Sequence, residues 1–132
     1  MLFSFRPVAI LASLALLSAP AVGTPALGVQ HDSPAARVLE VTVGQDGEMR
    51  FAPDTVSVRA GDVIRFVAFS GVHNVHFPAE ANPKVTLPPA SDWLLREGDT
   101  YELKVALAPG TYHFQCDPHA LMGMKGTLRV VK

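Results

Sequence analysis

The sequence predicts an all-β fold of the sandwich or barrel class. From residue 38 to residue 131, short runs that alternate apolar and polar residues are separated by turn residues, which is the pattern of half-buried strands. The same region lacks a long helical period, and 132 residues are enough for one domain. Many short strands with frequent turns and no long helix are typical of β-sandwiches and β-barrels.

Turn residues divide this region into its predicted strands. Residues 44–47 close the first run, Pro53 separates the second run from the third, Gly61 and Asp62 precede the fourth, and Gly71 precedes the fifth. The predicted alternating segments are residues 38–43, 49–51, 55–58, 63–69, 73–77, 100–105, 110–116 and 126–131.

One long segment, residues 78–96, departs from this alternation. It contains four prolines and one short helical candidate at residues 91–95. Within that candidate, we expect Trp93 to cover one of the sheets as an apolar plug, because a large aromatic side chain favours burial.

The first 23 residues are predicted to be a signal peptide. Arg6 precedes an apolar run at residues 8–17, and small residues lead to a cleavage point after Gly23. The run is shorter than the about 20 apolar residues that span a bilayer. We therefore expect an exported protein, in the periplasm or otherwise outside the cytoplasm, without stable membrane insertion. An uncleaved N-terminal anchor is the alternative. Residues 24–36 are predicted to be a flexible tether, and residues 37–132 the folded domain.

Charge and cysteine content exclude several classes of function. Removing Arg6 with the signal peptide leaves 10 basic and 12 acidic residues. The sequence has no basic cluster of the kind that binds nucleic acid or an anionic membrane. The single cysteine, Cys116, excludes an intramolecular disulfide. Because a free thiol is a liability in an oxidising compartment, we expect Cys116 to be buried or occupied by a ligand.

Strand alternation indicates which polar side chains face the core. Side chains at every second position share a face of a strand. One inward set is Tyr112, Phe114 and Cys116, with His113 and Gln115 facing outward. A second set that shares one face is His73, Val75 and Phe77, with Asn74 and His76 on the other. His73 and Cys116 are therefore expected to face inward from different segments.

The segment 116–126, CDPHALMGMKG, carries residue types that suit copper. Thiolate sulfur stabilises Cu(I), imidazole tolerates both oxidation states, and a weak thioether completes the blue-copper arrangement. Structural zinc prefers four strong ligands, and catalytic metal needs an open position. Taken singly, a buried cysteine is most often a small apolar residue and a methionine pair is most often core.

Three stretches of the chain resemble the cupredoxins, the small type 1 blue copper proteins, close to plastocyanin and pseudoazurin. They are FAPDTVSVRAGDVIRF at residues 51–66, HNVHF at residues 73–77 and GTYHFQCDPHALMGMKG at residues 110–126. The resemblance implies a Greek-key β-sandwich of about eight strands. It also implies one copper ion, cycling between Cu(I) and Cu(II), beneath loops at one end.

Matched position by position, the resemblance makes His73, Cys116 and His119 the three strong copper ligands. The axial thioether has two candidates. Met122 lies three residues after His119, as in amicyanin-like loops, and Met124 lies five after, as in plastocyanin-like and pseudoazurin-like loops. Since the final strand follows Met124 almost directly, we predict Met124 as the axial ligand.

The resemblance also assigns a supporting role and marks one departure. Asn74 corresponds to the residue that ties the two ligand loops together and can donate to the thiolate sulfur. Gln115 stands where plastocyanins commonly have tyrosine, and the acidic docking patches of plant plastocyanins are not evident as a run.

The implied function is that of a one-electron carrier rather than an enzyme. We expect a monomer that meets redox protein donors and acceptors transiently, docking near His119, Leu121 and Met122. A copper chaperone or copper store with the same ligands is the alternative. A Cys–His nucleophile would need a thiolate free to attack, whereas Asp117 and Pro118 between the two residues favour ligation.

Overall fold

Seven strands form the framework of the protein in a computed structural model that describes residues 35–132. The strands are β1 (Val38–Val43), β2 (Phe51–Ala52), β3 (Thr55–Arg59), β4 (Val63–Ala68), β5 (Thr100–Lys104), β6 (Gly110–Gln115) and β7 (Lys125–Val131). Two short 3-10 helices, Gln45–Gly47 and Asp117–Met122, complete the regular structure. The predicted signal peptide and residues 24–34 of the predicted tether lie outside the described residues. Within residues 35–132, no helix has the length and apolar character to cross a membrane.

The strands form two sheets that enclose one core. One sheet has the order β2-β1-β4-β5 and the other β3-β7-β6. The pairs β1–β4 and β3–β7 are parallel, and the remaining pairs are antiparallel. Aromatic contacts between β4 and β6 join the inner faces of the two sheets. The architecture is a Greek-key β-sandwich, as predicted.

The predicted fifth alternating segment does not become a strand. Residues 73–77 make two isolated bridges instead, one between His73 and Leu94 and one between His76 and Gln115. The segment therefore touches a loop at one end and the end of β6 at the other. Because it changes partner after three residues, it cannot extend a ladder with either. The described residues accordingly hold seven strands rather than about eight.

Three phenylalanines form the centre of the core. The ring of Phe114 lies 4.9 Å from that of Phe51 and 5.5 Å from that of Phe66, both edge to face. Such aromatic pairs stabilise a core beyond the area they bury. Gly126 lets β7 pass beside this cluster, since a Cβ atom there would lie 2.2 Å from the ring of Phe114. The cluster fixes the course of β6 two residues before Cys116.

Two predictions for residues 78–96 are wrong. Residues 91–95 are not helical, and Trp93 is exposed while its neighbour Leu94 is buried. The cause is the bridge to His73, in which each backbone N–H of the pair donates to the other's carbonyl, at 3.1 Å and 2.8 Å. An extended residue pair places Leu94 inward and therefore turns Trp93 outward.

A buried carboxylate anchors the start of the described domain. Asp62 accepts hydrogen bonds from the Arg37 side chain at 2.7 Å and from the backbone N–H groups of Arg37 and Arg59, both at 2.9 Å. The Arg37 hydrogen bond is the largest cause of a pKa for Asp62 well below its usual range. A carboxyl with a depressed folded pKa adds stability above its unfolded pKa of about 4, and this stability is lost as the pH falls below that value.

We predict that Asp62→Ala lowers the unfolding midpoint by about 5 °C near pH 7, because three donors lose their acceptor. The difference from the unsubstituted protein should shrink as the pH falls from 4 towards 2, because the carboxyl group of the unfolded chain is protonated there while that of the folded protein stays ionised. Thermal unfolding followed by circular dichroism across this range measures both effects. Arg37→Met, which leaves the two backbone donors in place, should cost less. A pH-independent difference would contradict the role of the charge.

Candidate metal centre

Cys116 follows directly on β6 and points into the core. Its side chain is fully buried, and those of Tyr112 and Phe114 on the same face are also buried, while His113 is exposed. The inward orientation predicted from alternation is therefore confirmed for this strand. The end of β6 thus sets the direction of the Cys116 side chain.

The loop after Cys116 is closed by backbone hydrogen bonds. The N–H of Cys116 donates to the carbonyl of Met124, and the N–H of Met124 donates to the carbonyl of His119, both at 3.1 Å. Pro118 lies in the first turn of the 3-10 helix, and Gly123 ends the helix with φ of 88°, a conformation that glycine adopts without strain. This short helix returns the chain so that Cys116, His119 and Met124 come together.

His73 reaches the same place from the segment after β4. Its side chain is buried, and its Nε2 lies 2.7 Å from the carbonyl oxygen of Ser70. Because a carbonyl oxygen only accepts, Nε2 carries the proton and donates, which leaves the lone pair of Nδ1 directed at the site. Gly44 and Gly71 make room for the ring, since a Cβ atom would lie 2.4 Å or 2.8 Å, respectively, from Nε2.

Three donor atoms converge at this end of the sandwich. The Sγ of Cys116 lies 3.5 Å from Nδ1 of His73 and 3.4 Å from Nδ1 of His119. All three donor atoms lie within 4.8 Å of one another. A thiolate and two imidazoles with a common focus fit copper, because the set combines a soft sulfur with borderline nitrogens.

The two methionines of the loop occupy different surroundings. Met124 is fully buried and joins the core, whereas Met122 is 61% exposed. The backbone of Met124 is also bonded to both Cys116 and His119. Of the two thioethers, that of Met124 lies in the enclosed region next to the three donors.

Burial shifts the proton equilibria of two donors. It lowers the pKa of His73, which favours the neutral imidazole that binds metals. It raises the pKa of the Cys116 thiol, an effect that the backbone N–H groups of Asn74 and His119 oppose. A thiolate in this position is therefore unfavourable without a positive partner, and a bound cation supplies one.

Asn74 connects the two segments that carry the donors. Its side-chain amide donates to Oδ2 of Asp117 at 2.8 Å, and its side-chain carbonyl accepts from the backbone N–H of Asp117, also at 2.8 Å. The connection implied by the resemblance is present, and it requires Asn74 to be buried. Alternation alone had placed Asn74 on the face opposite His73.

Two further contacts on Asp117 were missed by the sequence analysis. His76 Nδ1 lies 2.8 Å from Oδ1 of Asp117, and Gln115 Nε2 donates to the same oxygen at 3.0 Å. The sequence held one sign of these contacts, because alternation predicted that His76 and Gln115 both face outward from their segments. The bridge between those segments, which brings the two side chains to one acidic residue, has no local sequence signature.

The remaining side of the site meets solvent through apolar residues. His119 is partly exposed, Leu121 is fully exposed, and Met122 is mostly exposed. All three lie on the 3-10 helix Asp117–Met122. One donor of the site therefore borders a small exposed apolar surface.

Comparison with known proteins agrees with this geometry. Residues 38–131 match the sequence model of the copper binding proteins, plastocyanin/azurin family. The chain is 38% identical to plastocyanin of Ulva prolifera over 91 residues, which are 66% of this chain and 92% of that protein. It is 32% identical to the chloroplastic plastocyanin of Chlamydomonas reinhardtii over 130 residues, which are 95% of this chain and 89% of that protein.

Solved structures agree as well. The oxidised plastocyanin of Dryopteris crassirhizoma superposes with a TM-score of 0.58 at 32% identity, covering 70% of this chain and 99% of that one. Native pseudoazurin of Hyphomicrobium denitrificans superposes with a TM-score of 0.59 at 27% identity, covering 72% of this chain and 76% of that one. The chain belongs to the plastocyanin/azurin family of copper-binding proteins.

Proposed function

We propose that this protein is an exported, monomeric one-electron carrier with a single type 1 copper site. His73, Cys116 and His119 are its strong ligands and Met124 its axial ligand. The convergence of three donor atoms within 4.8 Å at the end of a rigid sandwich carries the proposal. Copper held by such a set supplies a one-electron Cu(I)/Cu(II) couple.

The scaffold suits electron transfer because it holds the ligands still. Cys116 continues β6, Met124 immediately precedes β7, and His73 is fixed by its hydrogen bond to Ser70. Ligands held in one arrangement need little movement between oxidation states. The burial of Cys116, His73 and Met124 also excludes water from three sides of the site. This arrangement opposes catalysis, which needs an open coordination position.

Export is supported by the first 23 residues, whose basic start, apolar run and small-residue end are those of a signal peptide. We place the mature protein in the periplasm or an equivalent compartment outside the cytoplasm. Mass spectrometry of the exported fraction should give the intact mass of a chain that begins at Thr24, which would support this placement. A full-length mass in the membrane fraction would instead support an uncleaved anchor.

We predict that Cys116→Ser removes the strong visible absorption of the copper-loaded, oxidised protein and leaves the fold intact. The absorption comes from charge transfer between thiolate and Cu(II), whereas the aromatic core does not include the metal. A visible spectrum and far-ultraviolet circular dichroism check the two parts. Persistence of the band would exclude Cys116 as the ligand.

A colourless wild-type protein that binds copper without a reversible couple would support a chaperone or store.

The two methionines provide a matched pair of variants. Met124→Leu should raise the reduction potential and keep the colour, because loss of a thioether destabilises Cu(II) more than it disturbs the trigonal ligands. Met122→Leu, at an exposed position, should change neither property. Voltammetry and visible spectra of both variants give the comparison. The reverse pattern would assign the axial position to Met122.

The exposed apolar surface beside His119 is the proposed docking site for redox proteins. Leu121→Asp should slow electron self-exchange between reduced and oxidised copies by about tenfold, since each contact would then bring two carboxylates together. Nuclear magnetic resonance line broadening measures this rate without requiring the physiological partner. Val131→Asp, at an exposed residue at the far end of β7, is the control. Equal slowing in both variants would place docking elsewhere.

A further inference from the structure

Asp117 carries more hydrogen bonds than its link to Asn74 requires. One carboxylate oxygen accepts from Asn74, while the other accepts from Gln115 at 3.0 Å and from Nδ1 of His76 at 2.8 Å. Gln115 and His76 are themselves joined by two backbone hydrogen bonds, at 2.8 Å and 2.9 Å. The carboxylate is therefore fixed by side chains from both ligand segments, directly after Cys116.

The connection between the ligand segments does not need the negative charge. Asn74 needs one acceptor oxygen and one backbone N–H from residue 117. An uncharged side chain with one oxygen would satisfy both bonds. The second carboxylate oxygen, with its donors His76 and Gln115, is thus additional to the link and holds the charge in one position, on the residue that directly follows the buried Cys116.

We propose that Asp117 is a fixed charge that favours the oxidised copper centre, and that His76 and Gln115 are positioning residues that hold it in place. The inference rests on the copper site proposed above. Reduction transfers one electron to Cu(II) from an electrode or a redox protein and lowers the charge of the centre by one. A nearby anion stabilises the more positive state. The Asp117 side chain is 39% exposed, so solvent screens part of this interaction, while the buried donors Cys116 and His73 keep the medium on the copper side less polar than water.

Substitutions of the charged residue Asp117 and of the positioning residue His76 should shift the reduction equilibrium in opposite directions. Asp117→Asn removes the anion but keeps an acceptor for Asn74, so it should favour Cu(I) by about tenfold, which corresponds to about 59 mV for one electron. His76→Ala removes a donor whose positive end faces the carboxylate. The anion is then less compensated, and the equilibrium should move towards Cu(II) by about threefold.

The experiment is voltammetry of the copper-loaded full-length protein, the two single variants and the double variant. All four proteins are measured at one pH and one ionic strength, so that screening is the same in each. Glu40→Gln removes one negative charge from an exposed position on β1 and is the control for net charge. In the double variant, the His76→Ala effect should vanish, because its target charge is gone.

A purely structural role gives a different pattern. If the contacts only stiffened the loop, both single variants would loosen it and shift the potential in the same direction. That result, or an Asp117→Asn shift no larger than that of Glu40→Gln, overturns the inference. So does a His76→Ala effect that persists in the double variant. If Asp117→Asn takes up no copper, the test depends on His76→Ala alone. A shift towards Cu(II) then supports the inference, and a shift towards Cu(I) or an unchanged potential overturns it. A wild-type protein without a reversible couple would instead refute the copper-carrier function itself.

Discussion

The pair of hydrogen bonds between Asn74 and Asp117 is the constraint that makes one site from two distant segments. His73 belongs to a segment that makes only isolated bridges, whereas Cys116 and His119 belong to the loop between β6 and β7. The backbone bridge between His76 and Gln115 brings the two segments together, and the Asn74–Asp117 bonds fix the residues next to the donors. The amide of Asn74 matches both a carboxylate and a backbone N–H, so it fixes distance and orientation together.

The sandwich supports this tie from below. Phe114 packs edge to face between the two sheets and sets the direction in which β6 delivers Cys116. The bond from Cys116 to the Met124 carbonyl then continues the pairing of β6 with β7 beyond the last ladder pair, Gln115 with Lys125. The ligand loop is therefore an extension of a sheet. Precision at the site follows from a dense core, because close-packed interiors resist small displacements.

Sequence reasoning was accurate where a local period determines structure. Alternation predicted the class of fold and the inward direction of Cys116, because side chains in a strand alternate whatever the rest of the chain does. His73 is buried as predicted, although residues 73–77 form no strand and Asn74 is buried as well. The predicted burial of Trp93 failed, because the bridge between Leu94 and His73 turns Leu94 inward and Trp93 outward. Alternation also missed the contact of His76 with Asp117. Both depend on pairing between irregular segments far apart in sequence, which no local pattern encodes.

The resemblance supplied what local patterns could not. Alternation does not predict which way the side chains of the ligand loop point, because a 3-10 helix replaces the strand after Cys116. The placement of His119 beside Cys116 was therefore implied by the match of the loop and not by spacing. The structure agrees, with 3.4 Å between Cys116 Sγ and His119 Nδ1.

The two sides of the Cys116 loop suit different physical tasks. On the side of Leu121 and Met122, apolar side chains are exposed, and such a surface can bind and release a partner without desolvating charges. On the side of Asp117, polar groups are bound to one another, so they are already compensated and offer little to a partner. Because Asp117 and Leu121 belong to the same short helix, the polar contacts that hold this helix in place also hold the apolar surface beside His119. A partner at the proposed docking site would meet a preformed surface, which avoids the cost of ordering a loop on contact.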